Sequence, residues 1–211
     1  MTHQSQGSAE SGQPVVTIYE SYGAGANQVG HAVAAALRLP FRRQAFSSEA
    51  IEGGHDHVLA EEAHFLERMI AVLAARFGAG PDAPDPAVEQ YRAELIAENA
   101  RQLAEAAARG GVIVGRNGAW LLADRPRTLH VLLTGDAEDR VRRAMAESGI
   151  SHELAVRRQR REDHIRADMS IALYDWDPRQ PEHYDLVVNT SRVPLEAVTQ
   201  AILASVRAMP A

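Results

Sequence analysis

Short apolar segments alternate with amphipathic segments along most of the chain, and this alternation constrains the fold more than any other feature. Four segments are rich in aliphatic and β-branched residues and have the length of buried strands: 15–19, 112–114, 129–133 and 186–188. Strands that are separated by helices usually pair in parallel, because each connection must cross back over the sheet. The sequence therefore predicts an α/β fold, with a parallel sheet that helices cover on both faces.

Six segments have the pattern of helices. The first is marked by Val29, Val33 and Leu37, which recur on one helix face. The other helical segments span 59–77, 88–109, 136–146, 151–166 and 194–208. Residues 78–87 contain three prolines and are predicted to form a loop, whereas residues 41–58 have a mixed pattern that predicts no element.

One domain, 14–211, accounts for this pattern, and the polar residues 1–13 are expected to form a flexible tail. The tail lacks the basic region and the apolar run of a signal peptide. No apolar run reaches the roughly 18 residues that a membrane span needs. We therefore expect a cytoplasmic protein with no membrane partner.

The composition excludes several kinds of chemistry. The chain has no cysteine, which rules out disulfides, thiolate metal sites and cysteine nucleophiles. All 22 of its basic Lys and Arg residues are arginine, so neither a Schiff-base lysine nor a phosphate-loop lysine can come from this chain. The net charge of −6 argues against a general nucleic-acid-binding surface, and we expect no nucleic-acid partner.

The turn between the first strand and the first helix is built from small and polar residues. Backbone N–H groups of a short glycine loop can converge on an anion, and the helix N-terminus adds a partial positive charge. The candidate phosphate-binding residues are Gly23, Ala24, Gly25, Ala26, Asn27 and Gln28. The full pattern G-x-x-x-x-G-K-[ST] is not met, and the loop alone is equally compatible with a tight turn that binds no ligand.

A second candidate site follows the strand at 112–114, where the chain reads Gly-Arg-Asn-Gly. Arg116 stands at the carboxyl end of this strand, with Asn117 next to it. The planar guanidinium of an arginine can form two parallel hydrogen bonds to a phosphate or a base edge. The alternative interpretation is an ordinary turn that carries a surface arginine.

Arginines are concentrated between residues 140 and 166, where eight of them stand against four carboxylates. Arg157, Arg160 and Arg161 have the spacing of one helix face, and Arg158 points elsewhere. Such a run is often a solvated helix face, but an acidic chain that binds polyphosphate needs cations. A flexible stretch at 147–150 precedes the run, so the segment is predicted to move as a lid.

Three histidines in the middle of the chain could be drawn as a metal site. These are His55, His57 and His64. A pair of metal ligands on a helix has i, i+4 spacing, and His55 and His57 do not have it. We interpret them as solvated loop residues and predict no resident metal site.

The order of these elements resembles that of the cytidylate kinase-like family, a branch of the P-loop nucleoside monophosphate kinases. The matching stretches are VVTIYESYGAGANQVGHAVAAALRLPF, GGVIVGRNGAWLLADRPRTLHVLLTGDAEDRVRRA, RREDHIRADMSIALYDW and YDLVVNTSRVPLEAVTQAI. The resemblance implies an α/β P-loop kinase three-layer sandwich, with a five-stranded parallel sheet and a helical lid at about 140–166.

The resemblance also implies roles for residues. Residues 23–28 would bind the phosphates of ATP, and Arg116 and Asn117 would bind the phosphate acceptor. Mg²⁺ would be held mainly by nucleotide oxygens and water, with Asp163 as the one carboxylate. The implied catalytic residues of the lid are Arg157, Arg160, Arg161, Asp163 and Arg166. The phosphate loop is degenerate, because Glu20 and Asn27 stand where the family commonly has arginines.

The expected function is that of an ATP-dependent phosphotransferase, which acts on a nucleoside monophosphate or another small phosphorylated acceptor. The alternative is a catalytically impaired, nucleotide-binding pseudokinase that acts through a partner. The missing lysine and Ser/Thr of the loop favour the pseudokinase, and the arginine-rich lid favours the enzyme. The sequence leaves open whether the chain forms a homodimer.

Overall fold

The computed structural model describes residues 12–43, 60–78, 85–115 and 117–210. Five strands form one sheet, and every strand pair in it is parallel. The strands are β1 Val15–Glu20, β2 Phe41–Arg42, β3 Gly111–Val114, β4 Thr128–Thr134 and β5 Leu186–Asn189. Their order across the sheet is β2-β3-β1-β4-β5, so β1 lies at the centre and its carboxyl end lies between those of β3 and β4.

Helices connect the strands and cover the sheet. They are α1 Ala26–Leu37, α2 Ala60–Phe77, α3 Pro86–Ala108, the short α4 Gly118–Leu121, α5 Ala137–Ser148, α6 His152–Tyr174 and α7 Leu195–Ala208. No helix in the described ranges is both long and apolar enough to span a bilayer.

The two faces of the sheet carry separate apolar clusters. On one face Val16 and Ile18 of β1 pack with Val29 of α1 and Ile202 of α7. On the other face, Val15 of β1 belongs to a cluster that includes residues of α3 and α4. Alternate residues of a strand point to opposite faces, so β1 contributes to both clusters and is almost fully buried. The result is the three-layer α/β sandwich that the sequence predicts.

The four predicted strands are confirmed, and the structure adds elements that the pattern did not predict. The short β2 lies in the mixed region and pairs with β3. The helix α3 begins at Pro86, inside the predicted loop, because the side chain of Asp85 accepts a hydrogen bond from the Ala87 N–H and caps it. The helix α6 continues beyond the predicted end at residue 166, since Ala172 and Leu173 are buried against α2 and α3.

Several sequence predictions fall outside the described residues. These are most of the proposed tail at 1–13, most of the mixed region at 41–58, Arg116, His55 and His57. The backbone of His64 lies in α2, but its side chain is not described.

A buried polar pair lies between the two central strands. The His130 Nδ1 lies 2.7 Å from the Thr17 Oγ1, and both residues are buried. Burial lowers the pKa of the His130 imidazole, although the nearby carboxylate of Asp185 opposes this effect. The sheet therefore favours the neutral form of this histidine.

We expect the free energy of unfolding to decrease as the pH falls below 6.5, the ordinary pKa of histidine. In this range the unfolded chain binds a proton at His130 that the folded chain binds less readily, so the stability present above pH 6.5 is lost. The His130→Gln variant should lose less stability than the wild type between pH 6.5 and pH 5 in urea unfolding. The exposed His31 provides a control for the loss of one imidazole, and the pH dependence of His130→Gln is compared with that of His31→Gln. Equal pH dependence of all three proteins would contradict the prediction.

Candidate functional site

The loop between β1 and α1, residues 21–25, forms a tight turn at the carboxyl end of the central strand. Gly23 and Gly25 have positive φ angles of 78° and 99°, which favour glycine. A Cβ atom at Gly23 would fall on the carbonyl oxygen of Arg140, and one at Gly25 would lie 2.8 Å from the Leu195 side chain. The backbone conformation therefore favours glycine at both positions, and at Gly23 the Arg140 backbone also leaves no room for a side chain.

Two arginines of the neighbouring helix α5 donate hydrogen bonds to the backbone of this β1–α1 loop. Arg140 donates to the carbonyl oxygens of Tyr22 and Gly135, each at 2.9 Å. Arg143 donates to the carbonyl oxygen of Gly23 at 2.6 Å. Because these guanidinium groups bind backbone carbonyls, we assign them a role in shaping the loop.

The N-terminus of α1 binds a carboxyl group of this chain. The Ala26 N–H donates to the Glu20 Oε2 at 2.9 Å. Burial raises the pKa of the Glu20 carboxyl, while the positive charge of Arg166 and the N–H groups of Ala26 and Gly25 oppose this effect. In this structure a side chain of the same protein occupies the N-terminus of α1. The binding of a ligand phosphate by residues 23–28 stays a prediction.

The helix α6 packs against the β1–α1 loop through a carboxylate. Asp163 accepts hydrogen bonds from the Tyr22 N–H at 2.7 Å and from the side chains of Arg140 and Gln159 at 2.9 and 2.7 Å. These contacts bring the predicted lid segment directly against the loop. In this structure Asp163 thus joins α6 to the β1–α1 loop, and its implied role as a metal ligand stays a prediction.

Arg166 is the lid arginine that approaches the anion at the helix N-terminus. Its Nη1 lies 3.8 Å from the Glu20 Oε1, and its Nε lies 3.3 Å from the Glu162 Oε2. The guanidinium also lies over the Tyr22 ring, 5.8 Å from its centroid. The carboxylates of Glu20 and Glu162 therefore both lie beside this guanidinium.

The other predicted lid arginines lie mostly at the protein surface in this structure. Arg157, Arg160 and Arg161 share a helix face, as their spacing predicts, but Arg166 approaches the loop from a different face of α6. Arg157 is bound instead to Glu153 at 2.6 Å, and its side chain is 62% exposed. Arg160 is exposed as well. In this structure the predicted catalytic face is thus largely a solvated one.

Arg158, the arginine predicted to point away from that face, is buried in the protein. Arg161 has a side chain that is 31% exposed and lies 3.4 Å from the Glu162 carboxylate. Burial of Arg158 means that substituting it would test packing as well as electrostatics.

Two polar side chains at the start of α1, those of Asn27 and Gln28, are predicted from the sequence to lie at the phosphate site. The Asn27 side chain donates to the Glu147 carboxylate of α5 at 2.7 Å, and Gln28 is exposed. At the carboxyl end of β3, Asn117 accepts a hydrogen bond from the Ser170 hydroxyl of α6 at 2.5 Å. The contact joins the second candidate site to the same helix that covers the first.

Within the ranges that the structure describes, no cluster of three or more His, Asp or Glu side chains could hold a metal ion.

Sequence reasoning missed the residues that shape the site most directly. Their position within residues 140–166 assigns Arg140 and Arg143 to the predicted lid, yet they anchor the β1–α1 loop. Glu20 was noted only as a departure from the family pattern. Helix N-termini prefer carboxylates, and Glu20 stands only six residues before Ala26, the first residue of α1. This preference is the signal that could have paired the Glu20 side chain with the Ala26 N–H.

Substitution of Gly23 by alanine should destabilise the protein more than the same substitution at Gly149. Both glycines have positive φ, at which alanine costs about 1 kcal/mol. Nothing lies within 4 Å of a Cβ at Gly149, whereas a Cβ at Gly23 meets the Arg140 backbone. That overlap adds about 1–3 kcal/mol. Urea unfolding should rank the variants in this order, and equal losses would show that the loop relaxes freely.

Two sequence relatives match this chain over only part of their own length. A uronate isomerase from Corynebacterium glutamicum is 36% identical over 110 residues, which make up 52% of this chain and 21% of that protein. A cytidylate kinase from Ignicoccus hospitalis is 33% identical over 103 residues, or 48% of this chain and 59% of that protein. The chain thus spans less than two thirds of the length of either relative.

A structural comparison supports the fold over nearly the whole chain. The crystal structure of an uncharacterized protein from Eubacterium ventriosum covers 92% of this chain and 98% of its own, with a TM-score of 0.63 and 19% sequence identity. The sequence profile of the cytidylate kinase-like family matches residues 15–192, from the first residue of β1 to the turn before α7. This match includes all five strands and the loop at the N-terminus of α1, and the chain belongs to the cytidylate kinase-like family.

Proposed function

We propose that the protein is an ATP-dependent phosphotransferase that acts on a nucleoside monophosphate or another small phosphorylated acceptor. The observation that carries this proposal is the anion-binding N-terminus of α1, where backbone N–H groups of the β1–α1 loop bind a carboxylate. A helix N-terminus that binds a carboxylate is also suited to a phosphate. Family membership supports the assignment of that phosphate to a nucleotide.

The cation that the reaction needs is proposed to be Arg166. Catalysis of phosphoryl transfer depends mainly on positioning and on neutralising the charge of the transferred group. The chain has no lysine for this task. Arg140 and Arg143 are engaged with backbone carbonyls, whereas Arg166 lies next to the carboxylate that marks the anion position.

The acceptor is proposed to bind near the carboxyl end of β3, at Arg116 and Asn117. The hydrogen bond between Asn117 and Ser170 places this segment against α6, the helix that also contacts the β1–α1 loop. A cytidylate kinase among the relatives favours a nucleoside monophosphate as the first acceptor to test. Since the described residues form no metal site, Mg²⁺ would arrive as part of the nucleotide complex.

One observation favours the alternative, a nucleotide-binding pseudokinase that acts through a partner. The carboxylate of Glu20 occupies the N–H groups that the phosphates would need, and Asn27 stands where the family commonly has an arginine. The two functions differ in turnover. ATP consumption should therefore be measured with a panel of nucleoside monophosphates, and ATP binding should be measured alongside. Binding without turnover for any acceptor would support the pseudokinase.

The affinity for ATP should be weak and should depend strongly on Mg²⁺. Without a lysine, the metal ion is the main means of neutralising the triphosphate. We expect removal of Mg²⁺ with EDTA to weaken ATP binding by roughly tenfold or more in calorimetric titration, which corresponds to about 1.4 kcal/mol. Tight binding of ATP that does not change with EDTA would contradict this expectation.

Substitution of Arg166 should slow phosphoryl transfer. The Arg166→Ala variant should lower the rate by about tenfold or more, since about 1.4 kcal/mol of barrier corresponds to a factor of ten. Arg166→Lys keeps the charge without the planar fork and should fall in between. The control is Arg142→Ala, because Arg142 is a 67% exposed arginine of α5 that pairs with Asp139. If Arg166→Ala and Arg142→Ala behave alike in steady-state kinetics, Arg166 has no special role.

A further inference from the structure

The N-terminus of α1 can serve only one anion at a time. The Ala26 N–H donates to Glu20 at 2.9 Å, and the Gly25 N–H also stabilises this carboxylate. A ligand phosphate that used the same donors would lie within van der Waals distance of the Glu20 carboxylate if that side chain stayed in place. Two anions at such a distance repel each other strongly where water is largely excluded, and the Glu20 side chain is only 13% exposed.

The surroundings of Glu20 make its departure inexpensive. Arg166 contacts both Glu20 and Glu162, so the cation keeps one carboxylate partner when the other leaves. Glu162 is almost completely buried and remains neutralised by the same arginine. A phosphate that replaces Glu20 would in turn meet Arg166. The charge of Arg166 is therefore compensated in either case, by the Glu20 side chain or by a ligand phosphate.

Hydration also favours the departure of the Glu20 carboxylate from the N-terminus of α1. Burial raises the pKa of the Glu20 carboxyl, which shows that the ionised group is poorly solvated in its present position. Movement of the carboxylate to solvent recovers this hydration. The side chain is attached at the last residue of β1, at the open carboxyl end of the sheet.

We propose that Glu20 is an internal competitor for the anion site of the β1–α1 loop, and that the phosphates of the ligand must displace its carboxylate to bind. This inference rests on the proposed function, because it assigns the ligand phosphates to the same loop. It makes Glu20 a residue that sets the affinity of the site, and the competition acts on the phosphates whatever base or acceptor accompanies them.

The test compares the full-length wild type with Glu20→Gln and Glu153→Gln. Glutamine has the shape of glutamate and a weaker acceptor, so it competes less for the N–H groups. Glu153 is an exposed carboxylate of α6 bound to Arg157, and its substitution changes the net charge equally without touching the loop. Binding of MgATP and of magnesium tripolyphosphate, which has no base, should be measured for each protein by calorimetry.

We expect Glu20→Gln to bind both ligands about tenfold more tightly or better, and Glu153→Gln to bind like the wild type. If the wild type binds MgATP and Glu20→Gln binds it equally or more weakly, the inference is overturned while the proposed function stands. If no protein binds either ligand, the proposed function is overturned together with the inference. A gain for MgATP but not for tripolyphosphate would also overturn it, because the effect would then not lie at the phosphate site.

A second variant covers the case in which Glu20→Gln does not fold. Glu20→Ala removes the carboxylate altogether, and with it both the competing acceptor and the negative charge beside the Ala26 N–H. The same gain in affinity is expected for both ligands, and its absence in folded protein would overturn the inference.

Discussion

The guanidinium of Arg140 is the contact on which the site depends. It donates to the carbonyl oxygens of Tyr22 and Gly135 and pairs with Asp163, so it joins the β1–α1 loop, the turn after β4 and the helix α6. Arg140 is itself buried, where hydrogen bonds to a charged group are strong and costly to break. The position of the loop and that of the helix that covers it are therefore set together.

A chain without lysine uses arginine for two different tasks in this region. Arg140 and Arg143 bind backbone carbonyls in planar, directional geometry, which an ammonium group would reproduce poorly. Arg166 instead sits between two carboxylates and beside an anion site. The exposed Arg157 is paired along its own helix and contributes little beyond solvation. Burial and partners, more than residue type, separate these roles.

The candidate site could be predicted from sequence only in outline. An apolar strand followed by small residues and a helix indicated an anion-binding loop, because backbone geometry alone creates that property. Spacing also placed Arg157, Arg160 and Arg161 on one helix face. It could not tell which face of α6 meets the loop, since a helix of weak amphipathicity carries no strong signal of its buried side. The partner of the Ala26 N–H was equally hidden, because a side chain and a ligand satisfy the same donor.

The sequence by itself determined the α/β class, the parallel sheet and the position of the loop at the end of the first strand, because these follow from local patterns of apolar residues and from small residues at a turn. It also excluded lysine and cysteine chemistry. Only the tertiary structure decided that Glu20 fills the N-terminus of α1, that Asp163 is bound by three donors, and that α5 supplies the anchors of the loop. These contacts join residues far apart in the chain or depend on the choice between competing partners, and that choice is made by packing.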